Sequence, residues 1–427
     1  MSDWKDTEIG IIPSDWEILP LTKLIEFTVD NRGKTVPIVE EKTSYPLIAT
    51  NCIKESALFP VKENLRFLTE ETYKTWFRAH PKYGDIIIVN KGTPGLVCFV
   101  PHPVDFCIAQ DMVAIRVNEK VYNKYLFAYM RSHFFKYQVS GLNVGTTIPH
   151  LKKTNFKDLN IPIPPKNYQK TSGDLYYILS LKIENLRRQN ETLEQIAQTL
   201  FKHWFIDFKF PNADSKPYKS SGGAMFASEL EDIPEGWRVG KLGDVVSINS
   251  KSIDKNYPHK IIEYVDISSV GTGILENTTQ YKLSEAPSRA RRLVQHGDVI
   301  WSGVRPNRKS YLFICKPIDN LVVSTGFIVL SPTKIPSSYL YAWVTTSMFV
   351  DYLTLNASGS AYPAVKAEHF EISKILLPSE SVLAKFQALV DPMRTKNHEN
   401  SLQIEILTKT RDSLLPKLMS GQLLIEV

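Results

Sequence analysis

The feature that most limits what this chain can fold into is a helical stripe between Asp174 and Asp207. Leu179, Ile183, Leu186, Asn190, Leu193, Ala197, Leu200 and Trp204 follow in steps of four and three, four heptads in one register. Glu184, Arg187, Arg188, Glu191 and Glu194 fall outside it. An apolar seam of this length is not stable in water, so a second helix must cover it. A partner stands 214 residues further on, where Met393, Asn397, Asn400, Ile404, Leu407, Arg411, Leu414 and Leu418 keep the same steps, five of the eight apolar. The sequence predicts two long helices, paired through Leu179, Ile183, Leu186, Leu193, Leu200 and Trp204 on one. Met393, Ile404, Leu407, Leu414 and Leu418 are the pairing residues of the other. Asn190 inside the first seam reads as a register device rather than a source of stability.

The same order of motifs runs twice through the rest of the chain. Ile12-Pro13-Ser14-Asp15-Trp16 returns as Ile233-Pro234-Glu235-Gly236-Trp237. Gly84-Asp85-Ile86-Ile87-Ile88 returns as Gly297-Asp298-Val299-Ile300-Trp301, each a tight turn feeding a buried strand. From Tyr125-Leu126-Phe127-Ala128-Tyr129 and Tyr339-Leu340-Tyr341-Ala342-Trp343 the offset settles at 214, through Gly145 and Gly359, Phe156 and Phe370, Pro164 and Pro378. One constant offset over so many matches marks an internal duplication. The order is globular unit, long helix, globular unit, long helix, with boundaries at 1–165, 166–210, 231–378 and 379–427. Residues 211–230 have linker composition, most clearly Ala213 to Ser228. The halves hold no common register over 30 to 80 and 250 to 293, which suggests two related sites reading different things.

Composition excludes few classes. A chain of 427 residues can form two or three domains with full cores, and a formal charge of +6 permits nucleic-acid binding without demanding it. Four cysteines without CxxC spacing point to a reducing compartment. The polar start MSDWKDTEIG lacks a signal core, and no apolar run reaches the ~18 residues of a membrane span. The expectation is a cytoplasmic protein with no membrane partner.

Catalytic signatures are missing. There is no GxxxxGK[ST] loop, no HExxH and no close Cys/His cluster; Gly271-Thr272-Gly273 reads as a turn. His102, His133, His150 and His296 lie beside turns or aromatics, as structural or surface residues do. Asp30 with Glu40-Glu41-Lys42 resembles a nuclease acidic site only loosely, and no Asn-Pro-Pro-aromatic element suggests methyl transfer to a flipped base. The expectation is a non-catalytic chain that holds no metal or cofactor.

Several loops instead pair bases with small polar or aromatic residues. In the first half the candidate DNA contacts are Arg32, Lys34, Lys91, Thr93, Thr146, Thr147, His150 and Lys152. In the second they are Arg289, Arg291, Arg305, Asn307, Arg308, Ser360, Tyr362 and Lys366. Lys and Arg neutralise phosphates, Ser and Thr fix register on the backbone, and Arg and Asn can read base edges. A basic Gly/Pro loop and a Gly-[ST] loop recur at matching places in both halves.

The doubled Ile-Pro-x-x-Trp opening, Gly-Asp-Ile/Val-Ile strand, Gly-[ST]-x-x-Pro loop and proline exit into a long helix resemble the specificity subunit of type I restriction-modification systems. The likeness runs from Ile12 to Leu418. It departs at the exits, where the usual Pro-Pro-Leu-x-x-Gln is present only as Pro164-Pro165-Lys166-Asn167-Tyr168-Gln169, and as Pro378 with a distant Gln387. The resemblance implies an α+β fold, with two duplicated α/β target-recognition domains separated by two long antiparallel coiled-coil helices. Each domain would read half of a bipartite site in double-stranded DNA, with the helices as a ruler. Two methyltransferase subunits would dock on this framework and restriction subunits would join them. S-adenosylmethionine, ATP and magnesium would be bound by those partners. The alternatives are the recognition subunit of a type II-like (IIB or IIG) enzyme and a coiled-coil scaffold that binds only proteins.

Overall fold

The computed structural model describes residues 3–31, 35–142 and 149–423. The chain divides into two compact units, Met1–Arg188 with Ser401–Val427, and Gln189–Asn400. Both long helices form, at Lys166–Phe201 and Glu380–Met419, and each contributes a segment to each unit.

In the first unit a four-stranded antiparallel sheet runs in the order Ile25–Val29, Met112–Val117, Ile86–Val89, Val97–Phe99. The second unit repeats it as Val246–Ile248, Phe327–Pro332, Val299–Ser302, Tyr311–Phe313. The variable segments join one strand from outside them in a second sheet of each unit, through a parallel pair: Pro46–Ile48 with Cys107–Ile108, and Ile261–Val265 with Leu321–Ser324. The first of these sheets has three strands and the second four, so the lost register there is a real difference in build.

The Gly-Asp turn has the same backbone form in both copies. Gly84 and Gly297 take φ of +86° and +90°, open to glycine without strain. The aspartate then accepts a backbone N–H three residues back, from Lys82 to Asp85 and from Gln295 to Asp298, at 2.8 and 2.9 Å. The turn aims the next four residues into the core, Ile86–Val89 and Val299–Ser302, all buried. The aromatic helices Asn123–Arg131 and Ser337–Val344 cover these strands; Tyr125, Tyr129 and Tyr339 are buried with their hydroxyls donating to the carbonyls of Pro162, Asn160 and Leu376.

Within each unit the long-helix segments pair antiparallel. In the first, Tyr168 Oη donates to Leu418 O at 3.0 Å, and Arg411 lies over the Tyr176 ring. In the second, Phe386 packs on Phe201 and Trp204, Arg394 pairs with Glu194, and Asn400 Nδ2 donates to Asn190 Oδ1 at 2.9 Å. Every stripe residue is buried or half-buried. The polar positions that interrupt the second stripe are occupied in the same way: Asn397 and Asn400 meet Asn190, and buried Arg411 pairs with Asp412.

The first helix ends in π-helical turns at Lys202–Ile206, which bury Trp204 and Phe205. The linker-like stretch that follows is built into the fold. Phe210 stacks between Tyr218 and Trp237, at 4.7 and 4.8 Å, and Met225–Phe226 pairs with Ile233–Pro234. Its small and polar residues suggest a loose connection, but three aromatics hold it against the second unit. The exits also differ: buried Gln169 accepts from Tyr122 N and donates to Pro164 O, both at 2.8 Å, where Leu383 is a core residue of the second unit.

Candidate nucleic-acid interface

Each central strand leaves its sheet into a basic loop, and a second loop clasps that loop by main-chain bonds. In the second unit Val304 bridges Ala364, Arg305 N donates to Pro363 O at 2.7 Å and Val365 N donates to Gly303 O at 2.8 Å. In the first unit Lys91 bridges His150, Gly92 N donates to Pro149 O at 3.1 Å and Leu151 N donates to Asn90 O at 2.8 Å. The clasp is one structure built twice: Val304 stands 213 residues after Lys91 (304 less 91) and Ala364 stands 214 after His150 (364 less 150).

One position in that clasp carries a left-handed backbone in both copies. The first unit fills it with Gly92 at φ +91°, the second with Arg305 at φ +52° and ψ +62°. For a residue with a Cβ this region costs about 1–2 kcal/mol. The loop then turns through Pro306–Arg308 and leaves at Lys309, again left-handed at φ +56°. The Arg305 guanidinium lies 4.5 Å from the centroid of the Tyr362 ring, and Nη2 donates to Ala361 O at 3.1 Å. Tyr362 is 68% exposed, so its other ring face is open to a ligand.

The candidate residues sort by loop. Arg305, Asn307, Arg308, Ser360 and Tyr362 share the clasped pair in the second unit, with Asn307, Arg308 and Ser360 exposed. Lys366 caps the helix Ala367–Glu371 at the foot of the second loop. Arg289 reaches the same region through the Ser324–Gly326 turn, which bonds to Arg289 O on one side and receives Gly303 N–H on the other. Its side chain pairs with Asp266 at 2.7 Å. Burial pushes the Asp266 carboxyl up, but hydrogen bonds from Ser268 and the Arg289 charge outweigh it and hold its pKa below the ordinary value. Arg291 is exposed on the adjoining strand, its Nε donating to Ser288 O.

In the first unit Lys91 and Thr93 are exposed on the basic loop, His150 is half-buried in the clasp and Lys152 is exposed beyond it. Arg32, Lys34, Thr146 and Thr147 lie outside the described residues. Lys153 pairs with Asp30 on the wall of a cleft of about 640 Å³ that Phe27, Arg78 and Thr154 also line. Arg78 was not singled out from the sequence, because it falls in the variable segment and neighbours no repeated motif. Glu40 and Glu41 are exposed, and among the described residues no three His, Cys, Asp or Glu side chains gather as metal ligands would.

Comparison with known proteins fits this duplication. The family model described as the type I restriction modification DNA specificity domain matches twice, over residues 13–195 and 234–400. The chain belongs to that family. It is 27% identical over 441 residues to the type I restriction enzyme MjaIX specificity subunit of Methanocaldococcus jannaschii, covering 100% of this chain and 97% of that protein. The HindI specificity subunit of Haemophilus influenzae is 25% identical over 406 residues, covering 80% and 87%. The crystal structure of a type I restriction-modification S subunit from M. genitalium shares the fold, with a TM-score of 0.58 at 16% identity over 95% of this chain and 96% of that one. No helix among the described residues is long and apolar enough to cross a membrane.

Proposed function

We propose that this specificity-family chain is the DNA-reading subunit of a type I restriction-modification complex, each compact unit recognising one half of a bipartite site. The observation that carries the reading is the clasped basic loop. The same main-chain bonds present Lys91 and Thr93 in one unit and Arg305, Asn307 and Arg308 in the other, on sheets whose variable companions differ. A conserved frame with altered side chains is what reading two different half-sites requires. We assign no chemical step to the chain. Methyl transfer and cleavage belong in this reading to two docked methyltransferase subunits and to restriction subunits, which would bring S-adenosylmethionine, ATP and magnesium, in the cytoplasm.

Modularity is the test. Replacing residues 12 to 165 by the matching unit of a relative should change one half of the methylated sequence and leave the other half intact. A swap that altered both halves would defeat the assignment. The helices are proposed as the ruler between half-sites. Glu191 lies at the level of Asn397 in the antiparallel pair, so one heptad added after Glu191 and one after Lys396 keeps the seam in register. At 1.5 Å per residue this adds roughly 10 Å, or about three base pairs of unspecified spacer. Methylation at the original spacing would rule the ruler out.

A further inference from the structure

We infer that Arg305 reads a base edge, specifically a guanine in the major groove, and is not one of the side chains that hold the DNA backbone. The inference rests on the DNA-reading role proposed for the second unit and names the contact within it.

Three observations bear on Arg305, the first of which, a left-handed backbone, it shares with Lys309. The left-handed backbone belongs to the loop and not to arginine, since Gly92 meets the same clasp in the first unit without strain. An arginine there is held against its own conformational preference, and strain of this kind gathers where a side chain must be aimed. The second observation is the aim itself. The guanidinium carbon lies 4.5 Å from the Tyr362 ring centroid and Nη2 donates to Ala361 O at 3.1 Å, so the group is held at two points. Nη1 and the second Nη2 proton remain able to donate. Guanine O6 and N7 are two acceptors spaced for that fork, which lysine cannot match.

The third observation is contrast. Arg308 is exposed and its side chain has no partner among the described residues; Lys309 is exposed beside it. Reach and charge suffice for a phosphate, and such mobile side chains supply them. A base edge needs a donor pair held within a fraction of an ångström, which a guanidinium held at two points provides.

The test selects binding sites from a randomised duplex library, using the full chain co-expressed with its methyltransferase subunit. The parent should enrich a split site; failure to enrich one would remove the DNA-reading assignment and this inference with it. Arg305→Gly installs the residue that the sister loop carries, so the fold is retained, as a thermal melt will verify. The variant should still enrich the split site but relax one G·C position of one half-site, by roughly tenfold to a hundredfold in discrimination. Tyr362→Ala, which leaves the backbone alone, should relax the same position. Arg308→Ala should weaken all sequences alike and reduce the salt dependence of binding. If Arg305→Gly instead behaves as Arg308→Ala does, Arg305 is a phosphate contact and the inference falls while the DNA-reading role stands. An unchanged motif and affinity would overturn it equally.

Discussion

The two units answer the same structural demands with different side chains, and the clearest case is the aspartate of the Gly-Asp turn. In the first unit Asp85, 1% exposed, receives Arg116 in a bidentate pair, Nε at 3.0 Å and Nη2 at 2.9 Å. In the second unit the facing register places Ser331 where Arg116 stands, since Ile115 opposes Ile86 as Leu330 opposes Val299. Asp298 is 2% exposed, and among the described residues no arginine pairs with it as Arg116 does with Asp85. Burial raises its pKa, only partly offset by hydrogen bonds from Gln295 N–H and the Ser331 hydroxyl and by the charge of Lys251. The basic loop differs in the opposite sense: Gly92 is relaxed where Arg305 is strained. The frame fixes the backbone, and each copy settles charge and strain separately, so equivalent positions carry different energies.

That comparison can be broken by four substitutions, each followed by hydrogen exchange on peptides assigned to one unit. Asp85→Asn should have the largest effect. It leaves the half-buried Arg116 without its counter-charge and should cost the first unit about 2–4 kcal/mol. Unchanged protection of Ile86–Val89 would mean that the ion pair contributes nothing beyond an uncharged hydrogen bond.

Gly92→Ala comes next. Nothing lies within 4 Å of the added Cβ, so backbone strain of about 1–2 kcal/mol is opposed only by the about 0.5–1 kcal/mol of unfolded-state entropy that glycine carries, a net loss of up to about 1.5 kcal/mol. A net gain in stability would show that the left-handed conformation is not demanded by the clasp. Arg305→Gly reverses the experiment in the second unit. Relief of about 1–2 kcal/mol of strain is opposed by glycine's larger unfolded-state entropy, about 0.5–1 kcal/mol, and by the lost contact with Tyr362. The net should fall within about 1 kcal/mol of no change; a larger loss would mean that the side chain pins the loop.

The smallest effect is expected from Asp298→Asn, and its sign depends on pH. Asp298 has a folded-state pKa above its unfolded value, so its favourable contribution is complete below the unfolded pKa and is lost as pH rises through the folded one. The amide can still accept from Gln295 N–H without carrying a buried charge. At pH 7 the variant should match the parent or exceed it by up to about 1 kcal/mol, with the difference closing as the medium becomes acid. A variant less stable than the parent at pH 7 would show that the ionised carboxylate is favoured where it lies. The same change at Asp85 is expected to be strongly unfavourable, and that opposition is what the pair of experiments measures.

Much of the architecture was legible without coordinates, for reasons that can be traced to particular residues. The stripes from Leu179 to Trp204 and from Met393 to Leu418 were readable because helical periodicity is local and an apolar seam must be covered. Asn190 was readable as a polar interruption of that seam, and it accepts a hydrogen bond from Asn400. The candidate site was legible only in outline. Recurrence marked the loops at Lys91 and Arg305 and their companions at His150 and Tyr362. The clasp that joins each pair needs bonds between residues about sixty apart, which no local pattern shows. Composition mis-stated residues 211–230, since Tyr218 stacks there on Phe210, which in turn stacks on Trp237 beyond the strand Ile233–Pro234.

By itself the sequence determined the duplication, the strand-feeding Gly-Asp turns, the two long helices and their polar interruptions. All of these follow from spacing along the chain, where backbone geometry converts residue order directly into faces and turns. Tertiary structure alone decided that Asp85 has an arginine and Asp298 has none, and that Arg305 occupies a glycine's conformation against Tyr362. It also decided that Arg78 and Lys153 line one cleft. Those facts depend on which distant residues share a few ångströms of space, where desolvation and close packing set the energies and sequence separation sets nothing.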